Sequence, residues 1–179
     1  MTQTAVNYAM ALYDLSREEH AGKQILSELQ ALREAFAREP DFLRLLAAPN
    51  ISKQERCEVL DRSFREKVHP YVLNFMKLLT EKGNIRHFSD CCKAFESMYH
   101  EEHGILPVWV VSAVALSNAQ QEKLKDRLEK ITGKTVLLEN RVDPGCLGGI
   151  RLSYDGKQVD GTIQNRLEAV GKLLKNTVL

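Results

Sequence analysis

Residues 142–174 read VDPGCLGGIRLSYDGKQVDGTIQNRLEAVGKLL, and this stretch decides the fold. Asp143-Pro144-Gly145 is expected to form a tight turn, with Pro setting φ and Gly supplying the positive φ of a type II turn. Gly148-Gly149 then opens an apolar strand, Leu147 to Tyr154, where bare backbone lets another element approach. Asp160-Gly161-Thr162 starts a helix with Asp160 as its N-cap, and Ile163, Leu167, Val170, Leu173 and Leu174 recur along it at helical spacing. Asp143, Pro144, Gly148, Gly149, Asp160 and Gly161 thus make a structural motif with no plausible catalytic group. Shape without reactive chemistry points to a surface that holds something.

Working outward, Leu106 to Leu116 (LPVWVVSAVAL) is almost continuously apolar and β-rich, the pattern of a strand buried on both faces. Ser117 and Gln120 cap a charged helix carrying Leu124, Leu128 and Ile131 and ending near Gly133. Thr135 to Val142 is the next strand, so the order is β-α-β-β-α. Before Gly104 the period is helical throughout. A first helix carries Ala5, Ala9, Leu12 and Leu15. Ser16 with Glu19 has capping-box spacing and suggests the start of a second, with Ile25, Leu29, Leu32 and Phe36, closed by Pro40. Phe42 to Ala48 is a short apolar turn or helix. Ser52 and Glu55 form another capping box, Pro70 suits a first helical turn, and a last helix carries Ile85, Phe88, Cys92, Phe95 and Tyr99. The helix after Pro70 is apolar on more than one face, with Val72, Leu73, Phe75, Met76, Leu78 and Leu79. The class is α+β: a six-helix bundle over 1–104 and a smaller β-α-β-β-α domain over 105–179.

The 179 residues are 44% hydrophobic and 27% charged, with 25 basic against 24 acidic side chains. This near cancellation carries no electrostatic footprint for nucleic acid or anionic lipid. No apolar run approaches the roughly 18 residues of a membrane span, and MTQTAVNYAMALYDL lacks the basic and apolar regions of a secretory signal. Cys57, Cys91, Cys92 and Cys146 show no disulfide or CxxC spacing, which suits a reducing cytoplasm.

Several patterns resemble chemistry and fail on context. Gly133-Lys134-Thr135 ends like a phosphate loop, but Leu128 stands where that motif needs Gly, and the triplet leaves a helix for a strand. Gly145, Gly148 and Gly149 do not make GxGxxG. His100 and His103 are three apart rather than the four of a zinc helix, with no third ligand. Ser112, Ser153, His69 and His87 lie in no triad context. Asp143 and Asp160 are explained by a turn and a helix cap. No catalytic, cofactor or metal residue is expected.

Taken in order, the chain resembles the delta subunit of bacterial F-type ATP synthases, a relative of the mitochondrial oligomycin-sensitivity-conferring protein. The likeness rests on Val142-Asp143-Pro144, Leu147-Gly148-Gly149-Ile150, Val159-Asp160-Gly161-Thr162 and Arg166-Leu167. Tyr8-Ala9, Ala11-Leu12-Tyr13, Leu78-Leu79, Glu81-Lys82-Gly83, Val111-Ser112-Ala113, Leu116 and Gln120 support it. Cys146 and Thr162 depart from the family's larger aliphatic residue and Ser. The resemblance implies a non-catalytic stator subunit linking the catalytic head to the peripheral stalk, without cofactor or metal, peripheral on the cytoplasmic face of the cell membrane and not inserted in it. It implies that the N-terminal domain receives the N-terminal helix of an alpha subunit and that the C-terminal domain holds the C-terminal region of the b subunit. By the same analogy the first and fifth helices form the receiving groove, with Tyr8, Ala11, Leu12 and Leu15 on one and Phe75, Met76, Leu78 and Leu79 on the other. Two other classes compete: a soluble helical adaptor for nucleic acid or another protein, which the balanced charge disfavours, and a nucleotide-dependent enzyme, which the order around Gly133 disfavours.

Overall fold

The helices begin where the sequence supplies partners for their orphan amides. In this computed structural model, which describes residues 2–165, the chain divides into two compact units, Met1–Tyr99 and His100–Leu179. The helices are α1 (Gln3–Glu18), α2 (Gly22–Arg38), α3 (Pro40–Leu46), α4 (Lys53–Phe64), α5 (Pro70–Glu81) and α6 (Phe88–Glu102), followed by α7 (Asn118–Thr132). Thr2 Oγ1 accepts the Ala5 amide. Ser52 and Glu55 satisfy each other's backbone amides at 3.2 and 3.0 Å, and Ser117 with Gln120 does the same for α7. Pro40 and Pro70 occupy first turns, where no amide donor is needed.

Ser16 does not cap a second helix. It is fully buried on the core side of α1, and its hydroxyl donates to the Tyr13 carbonyl at 2.6 Å. A buried serine with a carbonyl one turn back bonds within its own helix, so α1 runs on to Glu18 and α2 begins at Gly22.

One core unites the apolar sides of these helices, from Ala5, Ala9 and Leu12 through Ile25, Leu29, Leu60, Val72 and Met76 to Phe88 and Phe95. Phe36 anchors it, with ring centroids 5.5 Å from Phe42, 5.1 Å from Phe88 and 6.2 Å from Phe64. Buried Arg56 is satisfied by donating to the Leu46 carbonyl at 2.9 Å.

In the second unit β1 (Ile105–Ser112), β2 (Thr135–Val142), β3 (Ile150–Tyr154) and β4 (Lys157–Asp160) form one sheet in the order β2-β1-β3-β4. β1 and β2 are parallel, from Ile105 against Thr135 to Ser112 against Val142, a pairing that needs the crossover α7 provides. β3 is antiparallel to β1 and β4 to β3.

Two expectations change here. β1 ends at Ser112 and is not buried on both faces: Leu106, Val108 and Val110 pack with Leu128 of α7 and Val136, whereas Trp109, on the other side, is 41% exposed. Alternation along a strand sends neighbours to opposite faces, and α7 covers one of them. Secondly, a strand absent from the expected order, β4, pairs with β3 across Asp155-Gly156, whose φ values of 47° and 68° make a two-residue hairpin turn.

Polar Asn140 is half-buried at the end of this core, and its amide is used on both sides. It accepts the Leu116 amide and donates to the Val110 carbonyl and Ser112 hydroxyl at 3.2, 3.2 and 2.9 Å. Gly133 caps α7 with φ 68°, as a helix C-cap rather than a phosphate loop.

Candidate functional site

Two rows of side chains face each other across the seam between α1 and α5. Tyr8, Ala11, Leu12 and Leu15 line one wall and Tyr71, Asn74, Phe75 and Leu78 the other, around an open groove of about 250 Å³. Each row has the spacing i, i+3, i+4, i+7, one continuous stripe along a helix. Ala5 and Ala9, both fully buried, place the small side of α1 in the core, and the groove row lies alongside it. Leu15 and Leu78 are 43% and 40% exposed, so apolar surface remains open along the seam.

The groove is pinned at both ends. Asn84, after α5, donates to the Tyr8 hydroxyl at 3.3 Å, and Tyr71, at the start of α5, donates its hydroxyl to Glu19 Oε1 at 3.1 Å. That bond, with the charges of Glu19 and Glu18, pushes the ionisation of Tyr71 up, keeping the hydroxyl a donor. His69 caps α5 through Nδ1, and its own amide donates to Glu28 at 2.6 Å.

Six of the eight expected groove residues are brought together here. Met76 and Leu79 are not: both are 0% exposed and belong to the core. They sit on the sides of α5 that meet the rest of the unit, so the surplus apolar character of this helix divides between two faces. Tyr71 and Asn74 were missed, and the signal for them was the Tyr71, Asn74, Phe75, Leu78 spacing itself. Phe75, only 6% exposed, forms the floor.

The motif residues of the second unit also meet. Asp143 Oδ1 accepts the Gly145 amide at 2.9 Å, and Pro144 opens a short 3-10 turn ending at Cys146. The expected positive φ at Gly145 falls instead on Leu147 and Gly149, at 60° and 77°, because the Asp143 side chain holds the turn right-handed until it ends. Gly161 donates its amide to the Ile150 carbonyl and Ile163 donates to Gly148, both at 3.0 Å, so the two glycine-bearing segments are stitched together.

Asp160 is not the helix cap. It accepts the Thr162 hydroxyl and amide at 2.7 and 2.9 Å and Arg151 Nε at 2.8 Å. Those bonds hold its carboxyl below the usual range, the Thr162 hydroxyl contributing most. Thr162 takes the cap, accepting the Asn165 amide at 3.3 Å. Leu167, Val170, Leu173 and Leu174 lie outside the described residues.

A groove with two apolar walls, open along its length and pinned by tyrosines, suits a helix laid between helices; its walls present no acid–base pair or nucleophile. No helix among the described residues is long and apolar enough to cross a membrane. The fold and the seam fit the adaptor class of protein.

The particular family follows from comparison. The model of the ATP synthase delta (OSCP) subunit matches residues 4–174, and the chain belongs to that family. ATP synthase subunit delta of Alkaliphilus oremlandii is 30% identical over 172 residues, spanning 96% of each chain. Its counterpart in Moorella thermoacetica is 30% identical over 171 residues, again 96% of each. A chain of the Toxoplasma gondii mitochondrial ATP synthase hexamer shares the fold with TM-score 0.76 at 21% identity, covering 97% of this chain and 98% of that one. Membership carries the stator role, the coupling of head to peripheral stalk in a rotary ATP synthase.

Proposed function

We propose that this chain does its coupling as a passive two-ended clamp. Its helical unit, a six-helix bundle, receives the N-terminal helix of an alpha subunit in the seam between α1 and α5, and its sheet-bearing unit holds the C-terminal region of the b subunit. The chain catalyses nothing and sits peripherally at the cytoplasmic face of the cell membrane as part of the complex. The observation that carries this is the pair of facing stripes, Tyr8-Ala11-Leu12-Leu15 and Tyr71-Asn74-Phe75-Leu78, around one open groove.

The physics suits a stator. Such a part must bear torque without letting go, so slow dissociation matters more than fast encounter. Central apolar anchors in an interface of roughly 1,200–2,000 Å² are able to supply it. Attachment at two ends of one assembly adds avidity through effective concentration. Balanced charge, 25 against 24, fits attachment by burial rather than steering.

The test is calorimetric titration of the full chain with a peptide of the alpha subunit's first ~20 residues, a length suited to groove binding. Saturable binding that Leu78→Asp weakens by roughly tenfold or more is expected. Heat that is absent, or unchanged by that substitution, removes the groove from the function.

A further inference from the structure

The groove has an electrical direction. Asn84, beyond the C-terminal end of α5, meets Tyr8 near the start of α1, and Glu19, beyond the end of α1, meets Tyr71 at the start of α5, so the two walls run antiparallel. At the Tyr71 end Glu18 and Glu19 are exposed, with Asp14 one turn earlier on α1 also exposed. Arg17 is the basic residue of that last turn, but helical spacing from the Tyr8–Leu15 row puts it on the far side of α1. At the Tyr8 end, residues 2–8 (TQTAVNY) carry no charged side chain and α1 has no acid in its first turn. Glu81, in the last turn of α5, meets Cys57 of α4, its Oε1 lying 3.9 Å from Sγ, and the next residue is Lys82.

We propose, resting on the seam being a helix seat, that it accepts its guest in one direction only. The guest is an amphipathic helix whose N-terminal end, with its positive charge, lies at Glu18 and Glu19, and whose C-terminal end lies at Tyr8 and Asn84. A helix N-terminus carries about half a positive charge and its free amides point outward, while the C-terminus carries the opposite. In the proposed direction those amides meet two carboxylates. Reversed, the guest's terminal carbonyls meet them instead, and like-sign contact is the element that rejects the wrong pose. The apolar stripes fix where the helix lies, because Leu and Phe do not distinguish its two directions. The carboxylates choose between them.

The test uses the full chain and the same ~20-residue alpha-subunit peptide, carrying a nitroxide at its first or its last position, with broadening of the protein's amide resonances as the readout. A label at the first position is expected to broaden Tyr71 and Glu19, and one at the last position Tyr8 and Asn84. In parallel, acetylating the peptide's amino terminus removes one positive charge. This weakens binding about two- to fivefold to the unaltered chain and leaves binding to the Glu18→Gln/Glu19→Gln double variant unchanged. The reversed broadening pattern, broadening of both ends by either label, or an acetylation effect that survives the double variant overturns the direction while leaving the groove intact. Absence of any binding removes the seat itself, and the direction with it.

Discussion

Gly149 and Gly161 face each other so closely that a Cβ built on Gly149 strikes the Gly161 carbonyl oxygen, itself part of the backbone and unable to rotate away. Gly149 also has φ 77°, a region side-chain-bearing residues avoid. Gly149→Ala is therefore expected to destabilise the chain by about 2–4 kcal/mol, from left-handed strain and overpacking together. Gly83, at φ 73° with open space around it, provides the comparison: Gly83→Ala should cost only about 1–2 kcal/mol. Urea unfolding of both variants checks the difference, and equal costs would show that the close approach adds nothing.

Met76 and Leu78 are two residues apart on α5 and separate core from groove. Met76→Ala should cost about 2–5 kcal/mol of stability, as for other buried large-to-small changes. Leu78→Ala should stay within about 1 kcal/mol, since the side chain is 40% exposed, yet weaken peptide binding. Thermal melts and titrations on the same two samples decide it.

Asp160 makes stability pH-dependent in a definite sense. Its folded pKa is depressed, chiefly by the Thr162 hydroxyl and then the Thr162 amide, so as pH falls the unfolded chain takes up this proton first. The contribution is complete above about pH 4 and is lost as pH drops through the folded value. Asp160→Asn should be less stable than the parent at neutral pH, with the gap narrowing below about pH 4. A gap that stays constant down to full acid unfolding would contradict this.

The cysteines should differ sharply toward an alkylating agent. Burial pushes the Cys91 thiol up to about 11 and the Cys92 thiol further still, leaving little thiolate and little access. Cys57 is only partly buried, so native-state labelling followed by peptide mass spectrometry should find Cys57 modified first. Modification of Cys92 ahead of Cys57 would mean that the core around Cys92 opens readily.

The elements legible in the sequence were those whose cause is local. The capping boxes at Ser52 and Ser117, Pro40 closing the second helix, the first-turn Pro70 and the C-cap Gly133 depend on residues within one turn of themselves, and they stand where the spacing puts them. Asp155-Gly156 is an equally local hairpin signal, and the β4 it leads into is absent from the expected strand order. Ser16 shows the limit of such signals, because capping-box spacing was present and burial on the core side of α1 overrode it.

By itself the sequence determined a helical N-terminal half and a second half in which strands and helices alternate, because periodicity and turn chemistry act over a few residues. Tertiary structure alone decided how the apolar surplus of α5 is shared, sending Met76 and Leu79 inward and leaving Phe75 and Leu78 on the seam opposite Tyr8 and Leu15. It also decided that Trp109 stays partly exposed and that Thr162, not Asp160, caps the last helix. These outcomes depend on which neighbour covers which face, and that is settled only when segments far apart in the chain pack together.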